Sequence, residues 1–259
     1  MNNKIKIGLG IRTSESYLIE RAYDLFKNKT IDFVEIVINQ PKLKKAISDF
    51  KSYKIPYTFH GPYENCGVNI ADPRKEKSNI SNIKGAIKFV KELNGNFMIL
   101  HPGYLENPKC SREQSLKVLK MLSLEFPILL ENNPFYGWKN EKMFFSTPKE
   151  IRNVVPAYCG LCLDFTHAYT VSTKLGKKPE KLFKEFLKIK PLHFHLSGGM
   201  TKNTRESPVY LEKSDFNFNL IKTIILKSKI KTLTIETPRK NSSSLEENIA
   251  DINYFRESK

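Results

Sequence analysis

The alternation of strand-like and helix-like segments is the feature of this chain that most restricts its fold. Eight short apolar runs typical of strands alternate with segments whose apolar residues recur at helical spacing. Strands are predicted at residues 4–10, 31–38, 57–60, 97–101, 127–132, 158–165, 192–196 and 231–237. Helices are predicted at residues 17–26, 42–50, 73–93, 111–124, from 147 onward, 179–189, 215–227 and 244–255. Strands joined by helical crossovers are parallel, and eight such units favour a closed (β/α)₈ barrel. We therefore predict an α/β fold, with residues 1–259 forming a single TIM-barrel domain.

Histidines and carboxylates collect at the ends of the predicted strands. The catalytic groups of a TIM barrel lie at the carboxyl ends of its strands. The residues so placed are His60, His101, Glu131, Asp164, His167, His195 and Glu236. So many titratable groups at one mouth would repel or desolvate one another unless a cation held them. Because the set contains imidazoles and carboxylates but no thiolate, it predicts zinc, manganese or iron.

Charge and hydropathy restrict the partners. The 43 lysines and arginines exceed the 27 aspartates and glutamates, so the formal net charge is +16. Such an excess favours a polyanionic partner such as nucleic acid, although lysines spread over solvated helix faces give the same sum. No apolar run approaches the roughly 18 residues of a membrane span, so no membrane partner is expected. The first residues lead into a predicted strand without the features of a signal peptide, which predicts a cytoplasmic protein.

The motifs around the strand-end residues resemble those of the endonuclease IV family. They are His60-Gly61-Pro62-Tyr63, Asn69-Ile70-Ala71, Arg74-Lys75-Glu76-Lys77-Ser78, His101-Pro102-Gly103, Leu130-Glu131-Asn132, Leu163-Asp164-Phe165-Thr166-His167, Phe194-His195-Leu196-Ser197 and Ile235-Glu236-Thr237. They occur in the order of the family, between residues 57 and 238. That family belongs to the xylose isomerase-like barrels and cleaves DNA 5′ of abasic sites with a zinc cluster.

The resemblance implies a role for each predicted ligand. His60 and His101 would hold one metal, and Glu131 would bridge it to a second. Asp164, His195 and Glu236 would complete the second site, with Glu131 and Glu236 as the catalytic carboxylates. Two ions are therefore expected, with zinc as the first choice and manganese as the alternative.

A third metal is part of the family pattern, and this chain departs from that pattern. His167 resembles one ligand of the third metal, whose partners the family takes from an Asp-x-His after strand seven. The nearest register here places Glu206 and Pro208 at those positions, and the loop contains no histidine. The third metal is therefore left without its usual ligands.

Further residues are candidates for contact with substrate or for support of the site. The substrate or DNA contacts are predicted at Tyr63, Lys202, Arg205 and Arg239. Tyr63 could stack beside a lesion or simply pack in its loop, and the basic residues could meet a phosphate of DNA or of a sugar phosphate, or remain solvated. His193 shares the inward face of His195 and is predicted as a buried histidine that supports the ligands or belongs to the core. Glu35 points into the barrel from strand two and could support a ligand or be structural. Trp138 and Tyr136 could line the mouth, but a hydrophobic plug over the barrel end is the favoured prediction.

Three functions follow. The leading prediction is a metal-dependent phosphodiesterase that acts at abasic sites in DNA. The first alternative is a single-metal isomerase or epimerase of a sugar or sugar phosphate, since enzymes of that kind in the same superfamily use a Glu, Asp, His, Glu set. In this chain the set would be Glu131, Asp164, His195 and Glu236, with the two glutamates moving the proton. The second alternative is a nucleic-acid-binding homologue without turnover.

Overall fold

Eight parallel strands form the centre of the molecule. The computed structural model describes residues 5–39, 43–155 and 157–258, so the predicted strand start at Lys4 and helix start at Lys42 lie outside the described residues. The strands are β1 Lys6–Arg12, β2 Phe33–Val37, β3 Tyr57–His60, β4 Met98–Leu100, β5 Ile128–Glu131, β6 Gly160–Asp164, β7 His193–Leu196 and β8 Thr232–Ile235. Each strand pairs with its neighbours in chain order, and β8 pairs with β1 to close the barrel. The predicted (β/α)₈ barrel is confirmed.

Helices surround the barrel and cover its outer face. Within the described residues they are α1 Ile19–Lys27, α2 Lys44–Lys51, α3 Glu76–Glu92, α4 Arg112–Ser123, α5 Pro148–Arg152, α6 Phe165–Lys174, α7 Pro179–Leu187, α8 Phe218–Lys227 and α9 Glu246–Glu257. Short 3₁₀ helices lie at Thr13–Leu18, Glu64–Cys66, Pro73–Lys75 and Leu211–Lys213. In the described ranges, no helix has both the length and the apolar character that crossing a membrane requires.

Two helices begin at residues whose side chains cap them. The Ser111 hydroxyl accepts the backbone N–H of Gln114 at 3.1 Å, ahead of α4. The Thr147 hydroxyl and the Glu150 carboxylate form a reciprocal capping box at the start of α5, with Pro148 in the first turn. These caps satisfy backbone donors that no carbonyl of the helix can reach.

Helix α6 was missed in the sequence. The prediction that strand six continues to Phe165 was wrong, because the chain turns into a helix directly after Asp164. The Asp164 carboxylate accepts the backbone N–H of His167 at 2.6 Å and so caps the helix. Phe165 then packs against Phe183 of α7, with ring centroids 5.1 Å apart. An aspartate predicted as a metal ligand therefore also begins a helix.

An apolar layer inside the barrel supports the strand ends. Ile99, Leu129 and Cys162 form a buried cluster separate from the main core between strands and helices. Each stands two positions before a predicted metal ligand, so it points inward on the same face, one layer deeper. Near the amino end, a Cβ on Gly8 would lie 2.3 Å from the ring of Phe33, so glycine is required there.

Candidate metal centre

The barrel register brings the predicted ligands to one mouth. Asp164 of β6 pairs with His195 of β7, and His60 ends β3 beside β4. His101 and Glu236 follow directly after β4 and β8. All of these side chains lie at the carboxyl ends of the strands, around or beneath a cavity of about 370 Å³.

The first set of ligands, called here the histidine group, consists of His60, His101 and Glu131. The Nε2 atoms of both histidines lie 3.1 Å from Oε2 of Glu131. Their Nδ1 atoms are occupied elsewhere, by the Gly61 carbonyl at 2.8 Å and by Oε2 of Glu64 at 3.2 Å. Both rings are therefore held with Nε2 turned towards the same carboxylate oxygen, as two ligands of one ion would be.

The second set, called here the four-residue group, consists of Glu131, Asp164, His195 and Glu236. Its ligand atoms lie within 4.8 Å of one another. Nδ1 of His195 is 3.2 Å from Oε1 of Glu131 and 3.3 Å from Oε1 of Glu236. Oδ2 of Asp164 is buried and has no hydrogen-bond partner among the described residues. A buried carboxylate oxygen without a partner fits a position beside a cation.

Glu131 belongs to both groups. Its Oε2 faces the two histidines of β3 and β4, whereas its Oε1 faces His195. The side chain is 1% exposed, so its charge needs compensation from within the protein. Each oxygen of this one carboxylate therefore faces a different ligand group, and the two groups are adjacent.

The carboxylates of the site need positive charge close by to compensate them. Burial alone would raise the pKa of Glu131, but His195 and His101 lower it well below its usual value. Burial conversely lowers the pKa of His101, yet Glu64 and Glu131 raise it well above the ordinary value. The pKa of Glu236 is raised by burial and by the charges of Glu131 and Asp164. A protonated His101 therefore balances part of the carboxylate charge, and a divalent cation with these ligands would supply the same compensation.

The third ligand set of the family pattern is incomplete in the described residues. Nδ1 of His167 lies 2.8 Å from the Asn132 carbonyl oxygen and 3.6 Å from Oε1 of Glu131. Glu206 and Pro208 line the same cavity, but proline offers no side-chain ligand. Of the described residues, the groups of three or more close ligand atoms include neither His167 nor Glu206.

A buried support lies beneath the four-residue group. Oε2 of Glu35 is 3.1 Å from Nε2 of His195 and 3.4 Å from Nε2 of His193. The ring nitrogens of His193 also contact the hydroxyl oxygens of Thr232 at 2.7 Å and Thr234 at 2.9 Å. Glu35, His193 and His195 form another close His and carboxylate set, in which Oε1 of Glu35 is buried without a hydrogen-bond partner among the described residues. The prediction that His193 is buried one layer below His195 is confirmed.

The basic residues that were predicted to contact substrate or DNA lie in different places. Arg239 lines the cavity, but its guanidinium pairs with Glu15 and donates to the carbonyl of Ser244 at 3.3 Å. Lys202 and Arg205 are exposed and do not line the cavity. Whether these three residues bind DNA stays a prediction.

Two residues of the site were missed in the sequence, and a third was assigned a different role. Arg12 is 46% exposed and lines the cavity from the end of β1, which was predicted to stop at Gly10. Glu64 contacts His101 from a 3₁₀ turn that has no helical pattern. The plug prediction was wrong for Trp138, which is 51% exposed and lines the cavity from its rim. Tyr63 also lines the cavity, with its ring centroid 5.4 Å from those of His60 and His101.

Comparison with known proteins places the chain in a family. A model of the xylose isomerase-like TIM barrel family matches residues 24–258. The chain belongs to this family. A search of curated protein sequences gives no significant match.

Solved structures similar to this family member include two kinds of enzyme. Endonuclease IV from Thermus thermophilus is 17% identical, with 97% of each chain covered and a TM-score of 0.70. A D-tagatose 3-epimerase-like protein is 17% identical, with 98% of this chain and 96% of that chain covered and a TM-score of 0.73. The IolI protein with a zinc atom is 15% identical, with 97% and 96% covered and a TM-score of 0.69. At these identities the likeness shows the fold, so the reaction must be argued from the site.

Proposed function

We propose that this protein is a metal-dependent phosphodiesterase that cleaves DNA 5′ of abasic sites. The observation that carries the proposal is the histidine group beside the four-residue group. A single-metal isomerase needs only the four-residue group, so His60 and His101 would have no ligand role in it. Two groups that share Glu131 instead match a centre for two ions, for which zinc is our first choice and manganese the second.

Individual side chains of the site have different roles in the proposed reaction. When bound, two divalent cations supply Lewis-acid polarisation of a phosphate and activation of water. Glu131 holds the two groups at a fixed spacing through its separate oxygens. Glu236 lines the cavity with its side chain 34% exposed, so a water molecule can reach its carboxylate. We assign Glu236 to the transfer of a proton from the attacking water.

The surroundings of the cavity agree with a nucleic-acid substrate in two respects. Arg12 pairs with Glu15 at 2.9 Å, and its guanidinium stays half-exposed at the mouth, where a phosphate of the DNA backbone would meet it. The net charge of +16 favours association with a polyanion.

The proposal is tested with a duplex oligonucleotide that carries one abasic site. We expect incision 5′ of the lesion in the presence of zinc or manganese, loss of incision with a chelator, and no cleavage of the undamaged duplex. Glu236→Gln should abolish incision, whereas Glu246→Gln is the matched control because that carboxylate is 66% exposed on α9. Metal-loaded protein that leaves the lesion intact would contradict the proposal.

The second candidate function is a single-metal isomerase or epimerase of a sugar or sugar phosphate. The observation that favours it is the carboxylate of Glu206, which lines the cavity and whose Oε2 has no hydrogen-bond partner among the described residues. Sugar hydroxyls would donate to this oxygen, whereas a phosphate placed against it would be repelled. In this reaction Glu131 and Glu236 would exchange a proton with the carbon next to a carbonyl.

The histidine group separates the two candidates. Replacing His60 and His101 together with glutamine leaves the four-residue group intact. The phosphodiesterase should lose both its activity and one bound metal, whereas an isomerase should keep turnover with one metal. Lesion binding without incision, in metal-loaded protein, would instead favour a DNA-binding homologue without turnover.

A further inference from the structure

A tight turn holds the chain's single tryptophan at the rim of the cavity. The turn, called here the Trp138 turn, covers residues 136–142 and is closed by an antiparallel bridge between Tyr136 and Lys142. The Gly137 N–H donates to the Glu141 carbonyl at 3.0 Å. The conformation of the turn is therefore defined by its own contacts.

Two other loops fix the turn in place. The loop after β4 pairs with it through a bridge between Tyr104 and Met143, and the Leu105 N–H donates to the Lys142 carbonyl at 2.8 Å. The loop after β7 pairs through a bridge between Tyr136 and Arg205. Anchored on both sides, the turn presents a large aromatic surface that is 51% exposed although it lines the cavity. An indole left half in water beside a cavity has apolar surface available to a ligand.

Glu206 lies on the same wall as the Trp138 turn. Its N–H donates to the Tyr136 carbonyl at 3.0 Å, so the position of Glu206 is tied to that of the turn. Glu206 also lines the cavity, and Oε2 of its carboxylate is buried without a hydrogen-bond partner among the described residues. The wall therefore offers an aromatic face and a hydrogen-bond acceptor to one ligand.

We propose that Trp138 and Glu206 form a subsite for a nucleobase that the lesion leaves unstacked. An abasic site removes one stacking partner from each neighbouring base, so a base face becomes available to the indole. The Glu206 carboxylate accepts an N–H at the edge of that base, which a phosphate oxygen could not offer. The inference rests on the proposed function and names the part of the DNA that this wall recognises. A sugar ring also has an apolar face and hydroxyl donors at its edge, so the experiment includes a sugar as a separate ligand.

Trp138 allows a direct test because it is the only tryptophan in the sequence. The intact protein is titrated, with zinc present, with a duplex that contains a reduced abasic site protected by a 5′ phosphorothioate. Tryptophan emission and its quenching by acrylamide are recorded, and binding is followed independently by anisotropy of a labelled duplex. We expect the lesion duplex to change the emission and to protect the indole from acrylamide, and the undamaged duplex to do neither.

Variants measure how much the subsite contributes. Trp138→Ala should weaken binding of the lesion duplex about 5- to 100-fold, and Trp138→Phe should recover part of the loss. Glu206→Ala should weaken lesion binding while leaving binding to undamaged duplex unchanged. Tyr158→Ala is the matched control, because that aromatic ring is 37% exposed but precedes β6 at the opposite end of the barrel.

The outcomes separate failure of the subsite from failure of the proposed function. If anisotropy shows lesion binding while the emission and the affinity of Trp138→Ala are unchanged, the subsite is refuted and the phosphodiesterase proposal stands. If the duplex does not bind but aldoses or ketoses protect the indole, the wall of Trp138 and Glu206 still binds a ligand, but the DNA substrate is overturned. If neither ligand affects the indole, the subsite is overturned whatever the reaction is.

Discussion

Replacing Glu35 by glutamine tests whether the support beneath the four-residue group determines metal affinity. The Glu35 side chain is completely buried, and its Oε2 lies 3.1 Å from Nε2 of His195. The same oxygen accepts hydrogen bonds from the hydroxyls of Thr58 at 3.2 Å and Thr234 at 3.1 Å. Because Nε2 of His195 is held in this way, Nδ1 is the atom that faces Glu131 and Glu236. Glutamine keeps the shape of the side chain but loses the negative charge and one acceptor oxygen.

The size of the effect follows from these contacts. Burial would raise the pKa of Glu35, but the charge of His195 and hydrogen bonds with His193 and His195 lower it, so the carboxylate is ionised. Removing a carboxylate that orients a histidine ligand typically weakens metal binding about 10- to 100-fold. At 1.4 kcal/mol for each factor of ten, the loss is about 1.4–2.8 kcal/mol of metal-binding free energy. The remaining hydroxyl donors can turn to other acceptors, so the barrel should still fold.

The measurement is a competitive titration of zinc against a chromophoric chelator, with circular dichroism as the check on folding. Glu246→Gln, at an exposed position, should bind zinc like the unchanged protein. We expect the affinity of Glu35→Gln to fall in the four-residue group and to stay unchanged in the histidine group, which Glu35 does not contact. A folded Glu35→Gln protein with unaltered affinity for both ions would refute the role of this carboxylate in orienting His195.

Three further predictions follow from the same contacts. His101→Gln should reduce the zinc content by one ion per chain, measured by mass spectrometry of the dialysed protein, and an unchanged content would show that the histidine group binds no metal. Apparent zinc affinity should rise with pH in titrations between pH 6 and 8. Despite burial, Glu64 and Glu131 raise the pKa of His101, so protons compete with the metal at the lower pH, and a flat profile would exclude this competition. Asp72→Asn should lower the free energy of unfolding by about 1–2 kcal/mol at neutral pH, because the carboxylate accepts the Arg74 N–H and guanidinium. The hydrogen bond from Arg74 lowers the pKa of Asp72 from 3.8 to about 2, so the difference from the unchanged protein should be complete above pH 4 and vanish below pH 2 in denaturant titrations.

The barrel and the grouping of the candidate ligands were predictable because both depend on local patterns. Strand-like runs with an imidazole or carboxylate at the end identify the edge of a parallel sheet where functional groups meet. Asp164 and His195 are 31 positions apart in the chain, yet they are register partners across β6 and β7. Once eight parallel strands are assigned, their ends lie at one mouth without any further information.

The loops were less predictable because their contacts are distant in the sequence. Arg239 was expected to meet a phosphate, but Glu15, which lies more than 200 positions earlier, pairs with it. Trp138 was expected to plug the barrel, but pairing of its turn with the loops after β4 and β7 leaves it at the rim. Glu206 lines the cavity for the same reason. No pattern of period 2 or 3.6 encodes such contacts, so they emerge only from the assembled structure.

Only a few residues of the site distinguish the two candidate reactions. The four-residue group would serve either reaction, because its carboxylates can bind a cation or move a proton. Beyond it, His60 and His101 add a second ligand group, and Glu64 holds the His101 ring in position for it. Glu64 is 12% exposed, and it lies in the short 3₁₀ turn that follows β3. A carboxylate placed to orient a histidine that had no ligand role would cost desolvation energy without benefit, and this consideration favours the two-ion centre.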